Sequence, residues 1–502
     1  MQIEHIIVQA GGKGTRMGSL TRNKPKALVP INNLPMLFHL FKLFPDKHFI
    51  IIGDYHAEVL ARYLKAFAEV SYDFVTSTGK SGTCAGLRES LAFVPENSAF
   101  MLTWCDLLLP EDYAIPEPDQ NYIGISKDFR CRWSYKDGVF EETPSSEQGV
   151  AGHFLFTDKS FLRDVPAEGE FVRWLQSVGM TFAELPLYKT HEYGLYSEWE
   201  KLPKMRCRPF NTIEIQGDTL IKRPITVQGE GLARREIAWY RKLEGLSYAN
   251  LPKIYSYEPL TMELIDGKNI YEYQDMPLEK KRDMLRQIVS CLKFIHTIET
   301  MPADRASFEN AYLGKTLDRL AKVKELVPFA DRETVMVNGR RCRNVFFCWD
   351  EIARRVMQYM PETFCFIHGD CTFSNMMMKR DTTPILIDPR GYFGYTEMDG
   401  DVAYDWVKLY YSLYSNYDQF NLKRFDLEIG EDGVSLKIDS NNWEALEDDF
   451  FALVGDEISQ PQMKLLLAII WLSLTTYAWE DYDSICGAFY NGLYYLEEAF
   501  TC

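Results

Sequence analysis

Cysteine is present without a pattern. The 11 cysteines include no CxxC pair and no regular spacing, which argues against a disulfide framework. Cys105, Cys291 and Cys365 sit inside apolar runs, where a thiol behaves as a small hydrophobe. A basic surplus is also missing. Lys and Arg number 55 against 72 Asp and Glu, for a net charge of −17, which argues against a phosphate-neutralising stripe for nucleic acid. A local anion site needs only a few cations and backbone N–H groups, and the overall charge leaves it open. The longest apolar run, Leu465–Leu474, is about half of what a bilayer span requires, so a buried helix is expected there. Met1–Ala10 reads as a strand rather than a signal peptide. No long low-complexity linker and no internal repeat interrupts the chain. Reduced thiols, no membrane and a cytoplasmic location are the expectations.

What is there is the composition of a folded protein, 46% hydrophobic and 25% charged over 502 residues, long enough for two or three cores. Up to about residue 205, apolar runs at Ile6–Ala10, Phe49–Gly53, Ala99–Trp104 and Tyr122–Ile125 alternate with helical stretches at Met36–Phe44, Glu58–Ala68 and Ala85–Phe93. That alternation predicts a mostly parallel sheet covered by helices. The character changes near Met205–Asn211. Thr212–Ile215 and Thr219–Lys222 read as a hairpin, followed by a helix at Leu232–Leu243. Beyond residue 277 the chain reads as largely helical, with a second hairpin over Phe425–Ile438. Domains at 1–204 and 205–502 are expected, the second divided near residue 268.

Gln9-Ala10-Gly11-Gly12-Lys13-Gly14-Thr15-Arg16-Met17 leaves a strand and enters a glycine-rich turn, where backbone N–H groups can approach phosphates. Lys13 and Arg16 add cations, and Lys24-Pro25-Lys26-Ala27-Leu28-Val29-Pro30-Ile31 follows closely. The combined string fits neither a P-loop nor a dinucleotide fingerprint. It resembles the signature of nucleotidylyltransferases that make nucleotide sugars and CDP-alcohols, whose fold is Rossmann-like. The resemblance implies that Ala10, Gly11, Gly12, Lys13, Gly14, Gly82 and Thr83 bind the nucleotide, and that Arg16 and Lys26 act on its phosphates. It further implies Asp106 and Glu192 as metal ligands and Gly152 as a substrate contact. Glu192 stands where the family usually carries an aspartate. A second, substrate-side lysine is missing, with Lys127, Arg130 and Arg132 as stand-ins.

Phe366-Ile367-His368-Gly369-Asp370-Cys371-Thr372-Phe373-Ser374-Asn375 carries HGDxxxxN, and Asp388 ends an apolar run thirteen residues further on. Kinase chemistry needs a carboxylate to orient the attacking hydroxyl and oxygen ligands for magnesium on ATP. The arrangement resembles aminoglycoside phosphotransferases and choline kinases, which share the protein-kinase fold. It implies Asp370 as catalytic, Asn375 and Asp388 as metal ligands, and Lys222 with Glu236 as the phosphate-gripping pair. Glu263 and Leu264 would be the hinge at the adenine, and His368 and Asp401–Asp405 structural. Gly229 and Gly231 either line the nucleotide or simply turn the chain. Arg390 serves the substrate pocket or pairs with a carboxylate such as Asp401.

The expected architecture is therefore α/β: an N-terminal Rossmann-like nucleotidylyltransferase domain followed by a C-terminal α+β protein-kinase-like domain. Mg2+ is the implied cofactor, with ATP and a second NTP (CTP or UTP) as substrates. Small molecules are the expected partners, and the oligomeric state stays open. The expected function is phosphorylation of a sugar or polyol, then nucleotidyl transfer to the product. Choline or ethanolamine is the alternative acceptor, with Trp133 as a candidate cation–π platform. A non-catalytic kinase-fold regulator is the third reading.

Overall fold

The computed structural model describes residues 2–77, 80–202, 210–246, 248–380 and 382–501. The chain forms two compact units: Met1–Pro203 with Trp479–Asp483, and Lys204–Ala478 with Ser484–Cys502. The expected boundary at 204/205 lies outside the described residues. The stretch Trp479–Asp483, expected in the second domain, groups with the first unit.

In the first unit the four apolar runs are strands. Ile6, Ile7 and Val8, and Ile50, Ile51 and Ile52, are all at most 1% exposed, as strands covered on both faces require. Among the described residues they join a nine-stranded sheet. Its central strand His5–Gln9 is flanked in parallel by His48–Gly53 on one side and Phe100–Trp104 on the other. The chain order therefore reverses at His5–Gln9, and in open α/β sheets ligand crevices form at such switch points, beyond the strands' carboxyl ends. The sheet is mixed rather than mostly parallel. Gly149–Phe156 runs antiparallel to both Phe100–Trp104 and Tyr122–Ser126. Helices Met36–Leu43 and Ala57–Phe67 match expectation within a residue or so, but Ala85–Phe93 shortens to one α-turn, Leu87–Ser90, continued by a 3-10 turn.

The second unit opens with a four-stranded antiparallel sheet in the order Asn211–Gln216, Thr219–Pro224, Leu260–Glu263, Ile254–Tyr257. The helix after the hairpin runs over Val227–Leu243 and contains Gly229 and Gly231. Those glycines are neither loop nor turn. Thr226 caps the helix by accepting from the Gly229 amide at 3.0 Å, and buried Trp239, Tyr240 and Leu243 hold it in place. The helical remainder carries more strand than expected. Phe425–Ile429 and Val434–Ile438 pair as a hairpin, and Val337 joins them to a second hairpin, Thr334–Val337 with Arg340–Arg343. The apolar run lies in the helix Gln460–Leu474, capped by Ser459, with Leu465 to Leu472 buried. No helix among the described residues is long and apolar enough to cross a membrane.

Candidate active sites

In the first unit the glycine-rich loop leaves the central strand at its carboxyl end. The Ala10 amide donates to the Ile52 carbonyl at 2.9 Å, so it is spent inside the fold. A Cβ on Gly11 would stand 2.8 Å from the Asp54 Cβ, which accounts for glycine there. Gly12, Lys13 and Arg16 are exposed. Gly14 adopts a left-handed φ of 60° and its carbonyl accepts from Met17, turning the chain into the 3-10 segment Thr15–Thr21. Gly82 and Thr83 lie in a neighbouring turn, tied back by Gln9 Nε2 donating to the Thr83 carbonyl at 2.6 Å. The Thr83 hydroxyl accepts from the Phe171 amide at 2.8 Å.

Asp106 follows the strand Phe100–Trp104, adjacent to the loop, because the Cys105 amide donates to the Gln9 carbonyl. The two-residue strand His191–Glu192 pairs with Leu107–Leu108, and the Tyr193 amide donates to the Asp106 carbonyl at 3.1 Å. This pairing brings Glu192 up to Asp106. Buried Lys26 forms an ion pair with Asp106. Burial works against the Lys26 ammonium, but Asp106 holds it above its ordinary range. Burial and then the Asp106 charge push the Glu192 carboxyl up, with Lys26 and Arg16 opposing. Two neighbouring carboxylates are hard oxygen donors and fit a divalent cation such as Mg2+. Lys24, from the same motif, is committed elsewhere: it is buried and bridges Asp481, at 3.0 Å, and Asp483.

Gly152 lies in a bulge of Gly149–Phe156, where register shifts between Val150 and Phe154. It has φ 74°, and a Cβ there would overlap the Trp104 ring. Of the stand-in cations, Lys127 donates to the Glu147 carbonyl, and Arg132 pairs with Glu142 and Glu170. Arg130 is exposed. Trp133 is 3% exposed and its Nε1 donates to Glu170 at 2.6 Å. Its ring is therefore core and offers no open face to a quaternary ammonium.

In the second unit Asp370 receives the Asn375 amide on its carboxylate at 3.0 Å and on its carbonyl at 2.8 Å. Lys222 pairs with Glu236 at 2.8 Å and also with Asp388. Burial opposes the Lys222 ammonium, yet Asp388 and Glu236 hold it well above its ordinary range. Asp388 sits at φ 52°, a region that non-glycine residues seldom adopt and that often marks functional sites. The Asn375 side chain gives its N–H to Asp370, which leaves its oxygen for a cation. Asn375 and Asp388 together are oxygen donors of the kind magnesium takes alongside phosphate oxygens and water. Among the described residues no group of three or more His, Cys, Asp or Glu gathers for a metal.

The loop is braced as its sequence suggested. Asp405 accepts from the His368 and Gly369 amides at 2.9 and 2.7 Å and from His296 at 3.0 Å, and His368 Nε2 meets the Ile387 carbonyl. Two expectations change. Arg390 does not pair with Asp401; it donates to the hydroxyls of Tyr404 at 2.6 Å and Tyr392 at 2.7 Å. Asp401 instead caps the helix Val402–Leu413 and accepts from Tyr312. The amides of Glu263 and Leu264 are spent on the Lys253 and Asp218 carbonyls, and the Glu263 carboxylate pairs with Lys379. Neither amide is open to adenine. Sequence reasoning missed Lys408, which pairs with Asp370 at 2.9 Å. Its spacing from Tyr404, one helical turn, was the available signal.

Residues 6–115 match the model of the MobA-like NTP transferase domain, and residues 210–428 match that of the phosphotransferase enzyme family. The chain carries both domains, a nucleotidyltransferase and a phosphotransferase. The nucleotidyltransferase domain is similar to D-glycero-alpha-D-manno-heptose 1-phosphate guanylyltransferase of Campylobacter jejuni, 32% identical over 100 residues, 19% of this chain and 45% of that protein. It is also similar to glucose-1-phosphate cytidylyltransferase of Salmonella typhimurium, 28% identical over 126 residues, 20% of this chain and 49% of that protein. The chain thus spans about half the length of these curated relatives. Among solved structures, the inositol-1-phosphate CTP transferase of T. maritima covers 39% of this chain and 91% of its own, with 15% identity and a TM-score of 0.34. The phosphotransferase domain holds Lys222, Asp370, Asn375, Asp388 and Arg390 within its matched span.

Proposed function

We propose that the chain is a cytoplasmic bifunctional enzyme that phosphorylates a small sugar or polyol with ATP and then transfers a nucleoside monophosphate from CTP or UTP to the phosphorylated product. The outcome is an NDP-sugar or CDP-alcohol of the kind that supplies surface polysaccharide. The observation that carries this reading is that each unit holds its own set of phosphate-handling groups: Asp370, Asn375, Lys222 and Asp388 in one, Asp106, Glu192, Lys26 and Arg16 in the other.

In the phosphotransferase domain Asp370 orients the acceptor hydroxyl and takes its proton, and Lys222 holds the ATP phosphates. In the nucleotidyltransferase domain the phosphomonoester attacks the α-phosphorus of the NTP and pyrophosphate leaves. Lys13 and Arg16 neutralise that leaving group, and Lys26 bears on the α-phosphate or the incoming phosphate. Asp106 and Glu192 in one domain and Asn375 and Asp388 in the other would hold magnesium, which when bound would neutralise charge on the phosphates. Both reactions ask the protein for positioning and electrostatics rather than covalent catalysis. The names of the relatives support a sugar 1-phosphate as nucleotidyl acceptor. Trp133 in the core removes the feature that favoured choline. The intact set around Asp370 weighs against a non-catalytic regulator.

The test is a two-part screen of the purified chain with Mg2+: ADP formation against a panel of alcohols, and pyrophosphate release from each NTP against phosphomonoesters. The reading stands if one alcohol is phosphorylated and its phosphate is then nucleotidylated. It falls if no compound made by the first activity is accepted by the second.

A further inference from the structure

Asp370 does not stand in neutral surroundings. Lys408, from the helix Val402–Leu413, places its ammonium 2.9 Å from the Asp370 carboxylate. The Arg390 guanidinium lies 4.3 Å from the centre of the Tyr392 ring and 5.7 Å from that of Tyr404. Arg390 also backs directly onto the catalytic loop, since a Cβ on Gly369 would stand 2.9 Å from its own Cβ. Lys315, the first residue of the helix Lys315–Val323, brings its ammonium within 5.9 Å of the Tyr404 ring, the same distance as Lys408. Three cations from three separate segments therefore surround one buried tyrosine beside the catalytic acid.

Their counter-charge is short. Among the described residues, Asp370 is the one carboxylate in an ion pair with any of the three. Asp401, close in sequence, turns its oxygens to the Ala403 amide and the Tyr312 hydroxyl instead. Arg390 is held by two neutral phenols. Burial and then the Arg390 charge push the Lys315 ammonium well below its ordinary range. Half-buried like charges short of counter-charge cost stability, and that cost is relieved by an anion. An acceptor such as choline or an aminoglycoside would meet repulsion here.

Given the kinase reading above, on which this rests, we infer that the phosphoryl acceptor is an anionic alcohol, a hydroxyl compound bearing a carboxylate or phosphate that Arg390 and Lys315 grip. The hydroxyl oxygen bonds to the γ-phosphorus of ATP as the bond from that phosphorus to the ADP oxygen breaks. The hydroxyl proton passes to Asp370, and ADP leaves. Lys408 stays with Asp370, and the anionic group of the acceptor fills the place between Arg390 and Lys315.

The experiment measures ADP formation by the full chain with Mg2+ and ATP on three arms of acceptors. One holds hydroxy acids (glycerate, gluconate, glucuronate), one holds phosphate esters (glycerol phosphate, hexose monophosphates), and one holds neutral and cationic alcohols (glycerol, glucose, choline, ethanolamine). Turnover confined to the first or second arm is expected, and which arm responds tells carboxylate from phosphate. Arg390→Gln and Lys315→Met should each raise KM for that acceptor by ~30-fold or more while KM for ATP stays put, as loss of a charge-assisted contact requires. The wild-type panel decides even if a variant fails to fold. Turnover confined to the third arm overturns the anionic acceptor and leaves the kinase reading intact. ADP formation with no alcohol in any arm overturns the kinase reading and this inference together.

Discussion

Lys26 stands between two carboxylates that would otherwise repel each other. Its ammonium pairs with Asp106, and Glu192 is the next acid. Replacing it with methionine keeps the volume and removes the charge, so incoming phosphates would face Asp106 and Glu192 unscreened. Lys26→Met is expected to lower pyrophosphate release by about 100-fold or more, the scale of losing one preorganised electrostatic contact, with ADP formation unchanged. An unchanged rate of pyrophosphate release would remove Lys26 from the reaction. Asp388 poses a related question in the other domain. Its backbone is strained at φ 52°, and its carboxylate neutralises Lys222. Asn tolerates the left-handed region, so Asp388→Asn separates charge from strain. ADP formation should fall by about 100-fold or more while the melting temperature moves little. A large drop in melting temperature with retained activity would make Asp388 a structural residue instead.

At the scale of elements, the strand Gly149–Phe156 crosses the sheet between Tyr122–Ser126 and Phe100–Trp104 and buries His153 completely. The ring meets the Tyr113 hydroxyl at 2.8 Å and the Thr103 hydroxyl at 3.3 Å, partners that suit neutral imidazole. Burial pulls its pKa down from 6.5 to about 4. The unfolded chain then takes up a proton first as pH falls, so the stabilisation is present above pH 6.5 and is lost progressively towards pH 4. Between pH 7 and pH 5 the loss attributable to His153 is roughly 2 kcal/mol. His153→Gln keeps the hydrogen bonds and removes the titration. Urea midpoints, followed through surviving pyrophosphate release, should fall less between those pH values for the variant; equal falls would remove His153 as the cause. The element scale also shows what could be read from sequence. The strands ending at Gln9, Trp104 and Leu386 were legible because apolar runs with a glycine or acid just beyond them have one easy reading. Gly229 and Gly231 misled because helix formation there depends on the Thr226 cap and on burial of Trp239 and Tyr240, which local propensity does not contain. Glu192 was singled out because it stands where the resembling family carries an aspartate, but its approach to Asp106 depends on a two-residue strand too short to leave a pattern. Lys315 and Arg390 are brought to Tyr404 by tertiary folding from 89 and 14 positions away, and no local spacing carries that.

For the molecule as a whole, Asp370 and Asp106 lie in separate compact units, and the proposed reactions are consecutive in chemistry. Crossed variants test this directly. Asp370→Asn removes the hydroxyl-orienting carboxylate and should lower ADP formation by about 1,000-fold, within the range for a general base. Pyrophosphate release from NTP and a supplied phosphomonoester should persist at the wild-type rate. Asp106→Asn should do the reverse, and with ATP, NTP and the free alcohol it should accumulate the phosphomonoester without nucleotidylated product. Mixing the two variants should then restore the final product from the free alcohol, because the intermediate formed by one chain is the acceptor of the other. If either substitution abolished both activities in a protein with an unchanged melting profile, the two sites would not be independent. If the mixture made phosphomonoester but no final product, the two reactions would not share an intermediate, and the consecutive scheme would fail even with both activities present.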